Sequence, residues 1–321
     1  MKFTPLSIQL GYAGTSVLSP ENPILENDTV NILINIRGLS GGDAKILEDI
    51  GLNAVVITAE AGGLGEVQNR ARYGNVEFVN HSIKMVLDFL NKKYNKNLTV
   101  NKLCLESWSG GFGAIVDILS NKGKLFYSLD SVIILDGIHH SIFGSKPPQV
   151  NRVAMQPWVD YAMECMKGKS KFIVAHTAVV PGSYVSTTDT SNYLLSQLNL
   201  IRGDVPNYKF KVKTPVSYVE SGGFYCYQLY DKVEPYMLNG RANIPGTMGY
   251  EHIVANNFKK DIWQRHLIPF WNEIKKEIEV VKEEKVIVKI PDVSMESNRG
   301  IISMIYSVFL MILNIFTKNK K

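Results

Sequence analysis

The sequence predicts an α/β protein, a mainly parallel central sheet flanked by helices, on three observations. Runs that are apolar throughout recur at Val132-Ile133-Ile134-Leu135, Lys171-Phe172-Ile173-Val174-Ala175 and Pro215-Val216-Ser217-Tyr218-Val219. Such runs suit strands buried on both faces of a sheet. Segments with helical spacing lie between strands, as in Phe78, Ile83, Val86, Leu87 and Leu90. The third observation is one stretch, Lys102 to Ala114, in which an apolar run meets a turn of small residues and then the start of a helix.

Taken in order, Thr29-Val30-Asn31-Ile32-Leu33-Ile34-Asn35-Ile36 is a β-branched run that stops at Arg37-Gly38-Leu39-Ser40-Gly41-Gly42, a strand and a turn. Asn53 to Thr58 repeats the unit and stops at Ala61-Gly62-Gly63-Leu64-Gly65. That glycine cluster lacks the Lys-Ser/Thr of a P-loop and the spacing of a dinucleotide fingerprint, so no cofactor is predicted. A helix over Glu77 to Tyr94 precedes the Lys102 strand. After the strands ending at Leu135, Ala175 and Val219, the loop Gly246-Thr247-Met248-Gly249-Tyr250-Glu251-His252 leads into a helix carrying Ile253, Phe258, Ile262, Trp263, Leu267 and Phe270. Residues 138–170, with Pro147-Pro148 and Trp158, are long for a connection and read as a cap or lid.

Composition narrows the function classes. The 321 residues are 45% hydrophobic and 20% charged, which fits one main globular domain, assigned to residues 1–278. A net charge of +5 with no basic patch interleaved with aromatics makes nucleic acid an unexpected partner. Cys104, Cys165 and Cys226 are odd in number and far apart, so neither a disulfide framework nor a zinc spacing is expected. Met1-Lys2-Phe3-Thr4-Pro5 opens no apolar signal-peptide core, and a cytoplasmic location is expected.

Residues 279–298 are charge-dense and read as a linker. Residues 300–317 then run without a charge between Arg299 and Lys318, the lower limit for spanning a bilayer. Gly300, Ser303, Ser307 and Asn314 share one helical stripe, which suits packing against a second copy or an interfacial position. The expectation for 299–321 is a helix associated with a membrane; the rival is a helix docked on the protein's own surface.

The turn after the Lys102 strand reads Ser107-Trp108-Ser109-Gly110-Gly111. A serine at the tip of a tight strand-to-helix turn, with small residues two before and two after, is the layout of a nucleophile elbow. The usual pattern is Gly-x-Ser-x-Gly, and Ser107 here departs from it. Strand ends are where function gathers in an open parallel sheet. Leu135 runs into Asp136-Gly137-Ile138-His139-His140, and Ala175 into His176-Thr177.

Ser109, then Asp136, then His252 before a C-terminal helix, in the order nucleophile, acid, base, resembles the α/β-hydrolase fold over roughly residues 28 to 278. The phrases Leu135 to His139, Tyr184-Val185-Ser186-Thr187-Thr188-Asp189-Thr190, and His252 with Trp263 and Pro269-Phe270 are similar to a little-described group of bacterial hydrolase-like proteins. The resemblance implies that Ser109 attacks, His252 takes its proton and Asp136 holds the imidazole. It implies an oxyanion hole from the backbone N–H groups of Gly110 and Leu39, with Arg37 standing where the fold's His-Gly turn has its histidine. In many relatives the acid follows the next strand, where this chain has His176-Thr177; Asp189 and Glu220 are therefore alternatives to Asp136.

Trp108, His139, His140, His176 and Tyr184 are expected to line the pocket, with Phe112, Phe224 and Tyr225 adding apolar surface. No ligand-type His-x-His or His-x3-His pattern lies on one element, so no metal is expected. The expected activity is serine-dependent cleavage of an uncharged, partly apolar carboxylic ester or amide, with acyl transfer using the same groups. The alternative is a non-catalytic binding or scaffold module of this fold at a membrane, toward which Ser107 leans.

Overall fold

The structure is a computed structural model that describes residues 1–37, 43–60, 66–139, 149–181, 184–231, 237–238, 241–242 and 250–272. The expectations for Leu39, for His140 and for the linker and apolar helix after residue 278 lie outside the described residues.

In chain order the elements are β1 (Phe3–Pro5), β2 (Thr15–Pro20), β3 (Thr29–Ile36), α1 (Asp43–Ile50), β4 (Val55–Ala59), α2 (Glu66–Tyr73), α3 (Val76–Tyr94) and β5 (Thr99–Trp108). Then come α4 (Phe112–Ser120), α5 (Lys124–Ser128), β6 (Ser131–Leu135), α6 (Arg152–Met166), β7 (Lys171–His176), α7 (Thr187–Gln197), β8 (Ser217–Ser221) and β9 (Phe224–Gln228). A two-residue ladder, β10 (Met237–Leu238) with β11 (Arg241–Ala242), precedes α8 (Tyr250–Asn257), α9 (Lys259–Ile262), a wider π turn at Trp263–Leu267 and α10 (Ile268–Asn272).

Nine strands form one sheet in the order β1-β2-β4-β3-β5-β6-β7-β9-β8. The inner strands β4, β3, β5, β6, β7 and β9 are parallel, and β1, β2 and β8 join antiparallel at the two edges. The apolar runs explain the double layer, because alternate side chains of a strand point to opposite faces. Ile32, Ile34 and Ile36 of β3 and Val132 and Ile134 of β6 enter one core with α2, α3, α4, α6 and α7. Leu33, Ile133 and Leu135 enter the other, with α1 and the aromatic helices from Phe258 to Trp271. Helix α3 starts where Asn75 Oδ1 accepts from the Phe78 N–H at 2.6 Å and stops where Asn95 turns left-handed.

Two expectations are corrected. The run at 215–219 is not one of the parallel strands: β8 is an antiparallel edge strand, and the last parallel strand is β9, paired to β7. Phe224 and Tyr225 lie on β9 and are spent on packing, Phe224 against Phe172 and Tyr225 against the His266 ring. The described part of the expected cap is α6, the crossover helix between β6 and β7, with Met155, Trp158, Tyr161 and Cys165 buried on the sheet. The rest of the expected cap, residues 140–148, lies outside the described residues. Among the described residues no helix is long and apolar enough to cross a membrane.

Candidate active site

Three residues with left-handed backbone sit at the carboxyl ends of neighbouring strands: Arg37 after β3 (φ 57°), Ser109 after β5 (φ 51°) and Asp136 after β6 (φ 46°). Ser109 occupies a tight turn between β5 and α4, the elbow that the small residues predict. The turn closes only because Gly111 has no side chain, since a Cβ there would stand 2.3 Å from the Ile36 carbonyl oxygen. The N–H groups of Gly110 and Gly111 belong to the first turn entering α4, where backbone donors have no helical acceptor and the helix dipole is positive.

Asp136 and His252, 116 residues apart, meet: His252 Nδ1 and Asp136 Oδ2 are 2.6 Å apart, with both side chains buried. The other carboxylate contacts are all donors. Thr177 gives its N–H to Oδ1 at 3.0 Å and its hydroxyl to Oδ2 at 2.9 Å, and Thr187 gives its hydroxyl to Oδ1 at 2.5 Å. Burial pushes the Asp136 carboxyl up, but the hydrogen bond and charge of His252, with His139 and Thr187, outweigh it and hold it well below the usual range. An ionised Asp136 therefore accepts from Nδ1 and leaves Nε2 of His252 as the acceptor.

Trp108 supports His252. Its ring lies 4.6 Å from the His252 ring at 33°, and its Nε1–H donates to the His252 carbonyl at 2.9 Å. Because Trp108 directly precedes Ser109, Ser109 and His252 are tied to one strand end. Arg37 completes the group: Nη1 donates to Ser109 Oγ at 3.3 Å, and its guanidinium carbon is 5.7 Å from the Trp108 ring centre. Catalytic hydrogen bonds are commonly loose before substrate binds, so this long contact on Oγ leaves the base role of His252 open.

Of the expected lining residues, His139 and Tyr184 come together, ring centres 4.8 Å apart, with Phe112 at 5.8 Å from His139. His139 is held by the Asp136 carbonyl at 3.1 Å, and burial lowers its pKa to about 4 against the pull of Asp136, so it stays neutral. Tyr184 is 39% exposed and forms the open side of this wall. His176 is not a lining residue. It is fully buried between Arg202, whose Nη2 is 3.0 Å from Nε2, and Thr188, whose hydroxyl is 3.2 Å from Nδ1.

The alternative acids have other work. Asp189 caps α7 with Ser186, taking the Ser186 hydroxyl at 2.7 Å while its N–H donates to Ser186 Oγ at 3.1 Å. Glu220 is exposed on edge strand β8 and takes the Tyr218 hydroxyl. Sequence reasoning missed Thr177 and Thr187 as donors to the acid, and Trp108 as the support of His252. The one available signal was the placing of Thr177 directly after a strand end.

No family model and no curated protein matches this chain. Among solved structures it is similar to acetyl xylan esterase from Aspergillus awamori, at 14% identity and TM-score 0.42, over 80% of this chain and 100% of that one. It is also similar to ferric enterobactin esterase from Salmonella typhimurium, at 11% identity and TM-score 0.35, over 61% of this chain and 49% of that one. For the acylaminoacyl peptidase of Pyrococcus horikoshii the identity is 11% and the TM-score 0.42, over 83% of this chain and 42% of that one. The parallel sheet with β4 beside β3 and β5 inside it, an elbow after β5 and a histidine returning from the C-terminal helices give the chain the α/β-hydrolase fold.

Proposed function

We propose that this protein is a serine hydrolase that cleaves an uncharged, partly apolar carboxylic ester or amide through Ser109, His252 and Asp136. The observation that carries the reading is the buried 2.6 Å contact of His252 Nδ1 with Asp136, at a strand end beside the strained elbow serine. Each part has a role in acyl transfer. His252 Nε2 takes the Ser109 proton as Oγ attacks the carbonyl carbon, and returns it to the leaving group. Asp136 fixes the tautomer and stabilises the imidazolium, and the Gly110 N–H, with that of Leu39, stabilises the oxyanion by on the order of 3 kcal/mol per donor. Water then releases the acyl group by the same steps in reverse.

The substrate class is supported by the aromatic cluster of Phe112, His139 and Tyr184 and by the Trp108 ring beside His252. The segment 300–317 enters as a membrane attachment on composition alone; removing 299–321 then abolishes vesicle binding in flotation without loss of esterase activity. One observation favours the second reading, a fold without catalysis: Ser107 stands where the elbow pattern has glycine.

Fluorophosphonate labelling with peptide mass spectrometry decides between the two. The hydrolase reading expects an adduct on Ser109, and expects Ser109→Ala to lose ester hydrolysis with an unchanged melting temperature. A folded protein without an adduct, and without activity on short activated esters, supports the second reading.

A further inference from the structure

We propose that the guanidinium of Arg37 is itself a catalytic group, a charged side-chain donor to the oxyanion that forms on Ser109. The inference rests on the hydrolase reading and adds to its backbone donors.

Four observations place Arg37 in this role. Its Nη1 lies 3.3 Å from Ser109 Oγ, a contact to the reacting atom itself. Its backbone is left-handed, and among the described residues every other non-glycine in that region is Asn or Asp, except Ser109. Asn and Asp tolerate this conformation, whereas for a long side chain it costs about 1–2 kcal/mol. Strain of this kind persists where surrounding structure imposes it, and it clusters at functional sites. The position is indeed imposed: the Arg37 N–H donates to Ala59 O at 3.0 Å and its carbonyl accepts from the Trp108 N–H at 3.3 Å, fixing it between β4 and β5. Finally, the guanidinium is half-buried beside Ser109, where burial lowers its pKa and the charges of Glu60 and Tyr184 raise it.

In the step itself, Oγ bonds the carbonyl carbon, its proton passes to His252 Nε2, and the carbonyl π pair moves onto oxygen. That oxygen is one carbon removed from Oγ, the atom that Nη1 contacts at 3.3 Å. On collapse the pair re-forms the C=O bond, the bond to the leaving group breaks, and the leaving group departs with the proton from His252. A cation beside this site interacts more strongly with the full oxyanion than with a neutral carbonyl, so it acts on turnover more than on substrate binding.

The test compares wild type with Arg37→Asn, Arg37→Gly and Arg37→Lys. The readouts are p-nitrophenyl acetate kinetics, inhibition by phenylboronic acid, which forms a tetrahedral anion on serine, and melting temperature. Arg37→Asn is expected to lower kcat by about 10²- to 10³-fold with KM within about threefold, and to weaken boronic acid inhibition in proportion. Arg37→Lys should restore part of both. Glycine suits the left-handed backbone, so Arg37→Gly should keep or raise the melting temperature while losing the same turnover, an outcome a structural role does not give. The proposal is overturned if Arg37→Asn, or Arg37→Gly should the first be unstable, leaves kcat and boronic acid inhibition within about threefold of wild type. It is equally overturned if turnover falls only together with the melting temperature. A wild-type protein that fluorophosphonate does not label removes the hydrolase reading first, and this inference with it.

Discussion

Two neighbouring strand ends teach what makes a buried polar residue into a site residue. Strands β6 and β7 pair in parallel, Leu135 beside Ala175, and each delivers a buried titratable group to the same edge of the sheet, Asp136 and His176. Asp136 collects hydrogen bonds from His252, Thr177 and Thr187, and all four donor atoms belong to residues at least 41 positions away in sequence. His176 collects Arg202 and Thr188, which leave no nitrogen for a substrate. Burial is therefore shared, and the difference lies in which groups converge. One strand end is joined to Ser109 through His252 and Trp108; the other is joined to α7 and the segment after it.

The largest test breaks the Asp136 side. Asp136→Asn keeps the shape but offers Nδ1 of His252 a donor in place of an acceptor at one rotamer, and it lowers kcat by about 10⁴-fold if the acid holds the tautomer. Steady-state kinetics on an activated ester checks this, and turnover within tenfold of wild type would remove Asp136 from the acid role. Thr187→Val asks how much the remaining donors contribute. It takes the 2.5 Å bond from Oδ1 of a buried carboxylate. Losing a donor there costs about 1–3 kcal/mol, so a loss of roughly ten- to a hundredfold in kcat and a lower melting temperature are expected. Trp108→Phe is smaller still: the ring under His252 stays while the Nε1–H to its carbonyl goes. A fall of about fivefold in kcat, at one net hydrogen bond of about 1 kcal/mol, is the expected result, and no change would make the stack alone sufficient.

The same contrast shows what a sequence can reveal. The placing of Ser109 and Asp136 at strand ends was legible because Asp136 directly follows an apolar run, Ser109 stands in a turn of small residues, and each sits before glycine. His252 was legible only through chain order. The double-sided core was legible too, because continuous apolar strands such as Val132 to Leu135 have one stable use. What escaped was long-range. Thr187 and Thr177 look like ordinary cap and turn residues, and nothing in Trp108 announces a contact 144 residues away. His176 shows the converse error, a histidine at a strand end taken as lining because Arg202, 26 residues on, carries no local mark of its partner. Phe224 and Tyr225 were read as pocket aromatics because β9 is short and follows two glycines, which hid the strand.

His176 supplies the smallest effect on activity and the clearest separation of the two strand ends. Its pKa is lowered from 6.5 to about 4, first by burial and then by the charge of Arg202. Between those values the unfolded chain binds a proton that the folded chain refuses. The contribution to stability is therefore complete above pH 6.5 and is lost as pH falls from 6.5 toward 4. His176→Gln removes that titration but keeps an acceptor for Arg202. It should leave kcat within about threefold at pH near neutral, since His176 touches no reacting group. The melting temperature should fall at neutral pH, and the gap to wild type should narrow through the acid window, while His139, also lowered to about 4, keeps part of the slope in both proteins. Thermal scans from about pH 4.5 to 7.5 measure this. A constant gap would show that His176 titrates alike folded and unfolded. A hundredfold loss of kcat would instead place this strand end in the site and erase the contrast with Asp136.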